Sequence, residues 1–360
     1  MKTPPLKRSN FMPSDVPIPM TGSSAQSGSM PTLEQPSASS YEQIQREALL
    51  RFEGAQLSFI DGVWVNESVK GRDLKYYVFD WDDNVLCMPT RIHMERLSSD
   101  GKWVPHLCST AAYSVIRKDE RHYRFPQNKR EMAFVEFQDK RTPLGGGTFM
   151  QDLDLALDDI ASGKKQPPPS FATFRKTLIE GRLFAIVTAR GHEENTLRAG
   201  VQRFIDRVLT PVEREVMLIN LRGYDYCFDH VQTFPSQSKV LRHYLSLCHY
   251  HAITSPAFGA RIAEEAPEVQ TSEARKQFAI QDFIDHLVRI LDRTGMAALR
   301  LPISIGFSDD DRHNVAAVRD YIEKVLVRQF PTVKFCIYDT SDGSGAHKMM
   351  ISGQLELPLE

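Results

Sequence analysis

The stretch YYVFDWDDNVL, Tyr76 to Leu86, decides how this chain folds. The apolar run Tyr76-Tyr77-Val78-Phe79 stops at Asp80 and Asp82. An apolar run without alternation fits a strand buried on both faces, and the acids then stand at its carboxyl end. Open α/β sheets build their sites at that edge. Two carboxylates one residue apart can divide the roles of nucleophile and proton donor.

The strand is expected over Leu74–Phe79. Beyond Pro89, TRIHMERL and WVPHL alternate around Asp100-Gly101, which predicts a β-hairpin. AFVEF (133–137) reads as a strand, Gly145-Gly146-Gly147 as a turn and DLDLALDDIA as a short acidic helix. The glycine triplet lacks the Gly-Lys-Ser/Thr of a phosphate-binding loop.

From Phe171 the pattern becomes regular. A helix FATFRKTLIE is closed by Gly181, and the strand LFAIVT ends at Thr188. Helix ENTLRAGVQRFIDRVL follows, and then VMLINL and YDYCFDHV, both read as strands. A helix near Ser236–Leu247, a short strand around His251–Thr254 and the amphipathic helix SEARKQFAIQDFIDHLVRILDRTG come next. The strand LPISIGFS runs into Asp309-Asp310-Asp311, and a helix and the strand KFCIYDT complete the series. Such alternation predicts an α/β, Rossmann-like, doubly wound and mostly parallel sheet.

Four sequence positions converge on one chemistry. Asp80 can attack phosphorus, and Asp82 can protonate the leaving oxygen and later activate water. Thr188 can bind a phosphoryl oxygen through its hydroxyl. The Lys276 ammonium can offset charge between nucleophile and phosphate. Lys239, which also begins a helix, is the alternative lysine; Lys276 is preferred because its helix leads into the strand bearing Asp309. Asp309 and Asp310 offer hard oxygen ligands for Mg²⁺, with Asp311 as an alternative and Asn314 as a further contributor.

The ordered set Asp80-x-Asp82, Thr188, Lys276 and Asp309-Asp310 resembles the haloacid dehalogenase (HAD)-like hydrolase superfamily over roughly residues 73–90 and 171–340. The resemblance implies a Mg²⁺-dependent phosphohydrolase acting through an aspartyl-phosphate, with metal ligands from Asp80, Asp309, Asp310 and the backbone carbonyl of Asp82. It also implies that residues 91–170 form a mixed α/β cap above the core. Asp83-Asn84 departs from the family, which usually places Gly or Asn and then Thr or Val after its second acid. A non-catalytic phospholigand- or partner-binding protein of the same fold, or a phosphotransferase, is the alternative function. Receiver-type phosphoacceptor domains are excluded by chain order, because they place their acidic pair before the phosphorylated Asp.

The expected organisation is a disordered tail over 1–40, a helix and lead-in over 41–72, a core over 73–90 plus 171–345, the cap over 91–170 and a tail over 346–360. The 360 residues are 41% hydrophobic and 25% charged with a net charge of -2, so no overall field favours nucleic acid or an anionic membrane. Five scattered cysteines (Cys87, Cys108, Cys227, Cys248, Cys336) suggest reduced thiols, and with no long apolar run the expected location is cytoplasmic. The expected partner is a phosphorylated small molecule, which the basic residues Arg117, Lys118, Arg121, His122, Arg124, Lys129 and Arg130 of the insertion could receive. Arg190 and His192, after Thr188, read either as substrate contacts or as solvated loop positions. His249-x-His251, with His243, has no third ligand at fixed spacing and reads as ordinary packing.

Overall fold

The computed structural model describes residues 38–139, 148–224, 236–296, 301–342 and 345–352. The glycine triplet, nearly all of YDYCFDHV, Cys227 and most of the expected N-terminal tail lie outside the described residues.

The chain enters through a helix, Ala38–Leu49, that begins ahead of the expected start at 41. The lead-in then forms a hairpin of β1 (Leu57–Ile60) and β2 (Val63–Asn66). Ala48 and Phe52 pack with Val216 and Ile219 in a small cluster bordered by Leu57 and Trp64. Gly223 passes close to the end of β2, where a Cβ would stand 2.0 Å from the carbonyl oxygen of Asn66.

The first core strand, β3 (Leu74–Phe79), has the expected limits. The hairpin beyond it is β4 (Ile92–Leu97) and β5 (Trp103–Cys108), joined through Gly101 at φ 78°. β6 (Tyr123–Arg124) pairs with the other edge of β4. These three strands carry their own cluster of Ile92, Met94, Cys108, Ala133 and Phe137. AFVEF is not a strand: it spans the end of a short helix, Arg130–Ala133, and a 3-10 turn, Val135–Phe137. The acidic helix, Phe149–Ala161, differs from the expected partition. Its Phe149, Leu153, Ala156 and Leu157 belong to the main core, not to the cluster around β4.

β7 (Phe184–Thr188) is buried at every position. β8 (His249–Ala252), β9 (Ile303–Asp309), β10 (Val333–Asp339) and β11 (His347–Ser352) complete a six-stranded sheet of order β11-β10-β9-β3-β7-β8. All pairs are parallel except β10 with β11. The segment expected as a C-terminal tail therefore supplies an antiparallel edge strand. VMLINL is also not a strand. It lies inside the helix Pro211–Gly223, where Pro211 and a capping box between Thr210 and Glu213 start the helix.

The fold is α/β with a mostly parallel sheet, compatible with a Rossmann-like arrangement. From β3 the chain moves outward through β7 to β8, then returns to β9 on the other side of β3. The reversal between β3 and β9 is a topological switch point, where a crevice opens above the strand ends. No helix among the described residues is long and apolar enough to cross a membrane.

Candidate functional site

Asp80 follows β3, and its N–H donates to the Ser308 carbonyl of β9 at 3.0 Å. Asp309 ends β9 next door. Between them stands Lys276, from the first turns of the helix Ser272–Arg293. Its Nζ donates to Asp80 Oδ1 at 3.0 Å and to Asp309 Oδ2 at 2.6 Å. Asp80, Asp309 and Asp310 each offer a carboxylate oxygen within 4.8 Å of the others.

The charge in this cluster does not balance. Burial raises the pKa of Asp80 well above the carboxylate range; Lys276 opposes this, and Asp309 and Asp310 add to it. Asp310 is pushed up to about 7 by burial, with Asp309 and Asp83 contributing. For Lys276, burial alone would favour the neutral amine, but Asp309 and Asp80 outweigh it and its pKa is raised. One ammonium cannot balance three carboxylates, two of them buried and Asp310 half-buried, so the cluster by itself resists full ionisation. An all-oxygen donor set in that condition fits a hard divalent cation.

Asp82 takes a different position from the one its proposed role suggests. Arg190 chelates it, donating from Nε to Oδ2 at 2.8 Å and from Nη2 to Oδ1 at 2.6 Å. The same Nη2 reaches Thr90 Oγ1 at 2.9 Å, and Thr90 donates to Asp152 Oδ2 at 2.6 Å. The guanidinium lies over the rings of Phe137 and Phe149. Thr188 Oγ1 is 3.5 Å from Asp82 Oδ2. Arg190 and His192 are thus not solvated loop positions: both are buried. Neither ring nitrogen of His192 has a hydrogen-bond partner, and burial followed by the Arg190 charge lowers its pKa to about 4.

Asn84, the unusual residue of the motif, is fully buried and knits the site together. Its Nδ2 lies 2.8 Å from Ser308 Oγ and 3.1 Å from the carbonyl oxygens of Asp80 and Ser308. Its Oδ1 accepts from Thr340 Oγ1 at 3.0 Å, and its carbonyl accepts from the Ser170 N–H. Asp83 adopts φ 55° and turns its carboxylate to the Thr110 hydroxyl in the insertion.

Lys239 is exposed on the helix Gln237–Leu247. Asp311 caps the helix Arg312–Tyr321 through the His313 N–H at 2.8 Å. Asn314 donates to Asp309 Oδ1 at 3.2 Å. In the insertion, Arg124 pairs with Glu95 beneath the Trp103 ring, and Arg117 stands 3.8 Å from Asp311. The insertion also meets the core where the Gly191 N–H donates to the Phe137 carbonyl and the Glu193 N–H to Asp139.

Sequence reasoning missed Asn84, Ser308, Thr340 and the chelating role of Arg190. The sole hint was chemical: a buried strand end followed by Asp-Asn needs partners for both side chains. Comparisons of the chain with protein-family models, with curated proteins and with solved structures give no match.

Proposed function

We propose that the chain is a Mg²⁺-dependent phosphomonoesterase with a HAD-like core, using Asp80 as nucleophile. The observation that carries this reading is Lys276 held between Asp80 and Asp309, with Asp310 beside them, at the switch point of the sheet. Asp80, Asp309 and Asp310 would hold the ion, with the Asp82 carbonyl as the ligand the family resemblance adds. When bound, the ion offsets the repulsion between a carboxylate nucleophile and an anionic phosphate.

The protein's own groups do the rest. Lys276 fixes the rotamer of Asp80 and supplies positive charge where the phosphoryl group arrives. The Asp80 oxygen attacks phosphorus as the ester oxygen departs, giving an aspartyl-phosphate that water then opens. Thr188 lies near Asp82 and can donate its hydroxyl to a phosphoryl oxygen. Asp82 serves as proton donor once it has left Arg190 and taken up a proton from solvent, giving that proton to the departing ester oxygen, so substrate entry and release of the ion pair are linked. The substrate class is a phosphorylated small molecule, enclosed by the β4–β5–β6 unit.

The Arg190–Asp82 pair favours a second reading, a protein that binds a phosphorylated ligand without turnover, because it holds the acid away from proton transfer. One experiment separates the two. Aryl phosphate hydrolysis is measured with Mg²⁺, after chelation, and in Asp80→Asn. The enzyme reading expects turnover that disappears on chelation and falls at least about 1,000-fold in the variant. Turnover that survives Asp80→Asn discards the nucleophile. Phosphate-ligand binding with no turnover over a broad phosphoester panel establishes the binding protein.

A further inference from the structure

Away from the carboxylate cluster, the outer edge of the sheet carries a second group of potential ligands. His249 and His251 alternate along β8, so their side chains emerge on one face, toward the helix Ser272–Arg293. That helix brings Asp282 against them. The third ligand missing from the local sequence pattern thus comes from a different element, where no fixed spacing could reveal it.

We propose that His249, His251 and Asp282 form a transition-metal site, of the kind that binds Zn²⁺. The distance from His249 Nδ1 to His251 Nε2 is 3.1 Å, and each nitrogen lies 3.3 Å from Asp282 Oδ2. Zn²⁺ with tetrahedral bonds of about 2.0–2.1 Å needs ligand atoms roughly 3.3 Å apart. The three atoms therefore already form one face of that tetrahedron. Without an ion the same face is short of good hydrogen-bond geometry. If both nitrogens carry protons toward Asp282, two N–H groups confront each other; if only one does, the other lone pair faces a carboxylate. A cation accepts all three lone pairs at once.

The surroundings hold the ligands in place. The His249 ring packs against His286 with centroids 4.1 Å apart, while His286 Nε2 is engaged with the Leu247 carbonyl at 2.9 Å. The His251 ring meets Phe258. Arg261 grips Asp282 through both of its terminal nitrogens, from Nη2 to Oδ1 and from Nη1 to Oδ2 at 3.0 Å. A ligating carboxylate is commonly oriented by such a partner. The Arg261 charge lowers affinity for any cation, so the site demands strong nitrogen ligands. Imidazole favours Zn²⁺ over Mg²⁺, the reverse of the all-oxygen set at Asp80, Asp309 and Asp310. Side-chain exposures of 18%, 9% and 16% for His249, His251 and Asp282 leave solvent access for a water as fourth ligand. An ion here would clamp the edge strand to the helix that carries Lys276, independently of any phosphoryl chemistry.

The test uses tag-free, full-length protein stripped of metal and titrated with Zn²⁺, and in parallel with Co²⁺ as a visible probe, in excess Mg²⁺. One equivalent is expected to bind, with the intense visible absorption of four-coordinate Co²⁺ and a rise in thermal midpoint given by Zn²⁺ alone. His249→Gln and Asp282→Asn, each verified as folded by circular dichroism, are expected to weaken Zn²⁺ binding more than about 100-fold. Asp309→Asn is expected to leave the Co²⁺ spectrum unchanged. Absence of a stoichiometric site in the wild type overturns the proposal, as does Zn²⁺ binding that persists in both ligand variants or that vanishes in Asp309→Asn.

Discussion

The amide of Asn84 connects β3, β9 and the segment after β10, because its partners are Asp80, Ser308 and Thr340. Removing it strips the partner from the Asp80 carbonyl and the Thr340 hydroxyl, while Ser308 keeps the Asp80 N–H and the Ser170 hydroxyl; buried groups left unpaired cost more than a lost solvated bond. Asn84→Ala is expected to destabilise the protein by about 2–4 kcal/mol, read as a lower urea midpoint with an unchanged slope. His192 gives a pH signature. Its folded pKa of about 4 lies below the ordinary value of 6.5, so on acidification the unfolded chain takes up the proton first. Its contribution to stability is intact above pH 6.5 and lost as the pH falls toward 4. Over that window the stability of the wild type relative to His192→Phe is expected to fall by up to about 3 kcal/mol, and a gap independent of pH would show that His192 titrates normally.

At the scale of elements, legibility followed how local the signal was. The limits of β3 were readable because an apolar run ends at acids, and the β4–β5 hairpin because Asp100-Gly101 marks its turn. Lys276, Asp309 and Asp310 were placed from the order of helix and strand alone. VMLINL misled because the helix Pro211–Gly223 is buried from Glu215 to its end, which erases the helical period. Its true signal was the Thr210-Pro211-Glu213 start. β11 escaped notice because its pairing to β10 is a tertiary fact, with Cys336 opposite Met350. The Arg190–Asp82 chelate was invisible for the same reason: 108 residues separate the partners. In β9, Gly306 reads as a weakness in a strand, yet a Cβ there would come within 3.0 Å of the Tyr77 and Tyr338 rings on the flanking strands.

Across the whole molecule, the β4–β5–β6 unit has a core of its own, and polar contacts from Thr110, Arg117 and Asp139 link it to the sheet and its loops. Such an interface yields before either core does. Thr110→Val combined with Arg117→Ala removes the links to Asp83 and Asp311. Hydrogen exchange is expected to accelerate at the Gly191 and Glu193 amides, which the unit covers, while amides of β3 and β7 keep their protection. Equal acceleration in the strands would mean that the unit and the sheet open as one body.

The position of β3 also dictates an order of assembly. It is the first strand of the large sheet to be synthesised, yet it ends at the centre, with Leu74 beside Ile303 and Tyr77 beside Phe184. One flank waits for β7, the other for β9, which is made only after β7 and β8. Until then Tyr76, Val78 and Phe79 have no lasting cover, and Asp80 has neither Lys276 nor Asp309 beside it. The slow closure of such distant pairs means that the carboxylate cluster assembles only after β9 has been made and has paired with β3.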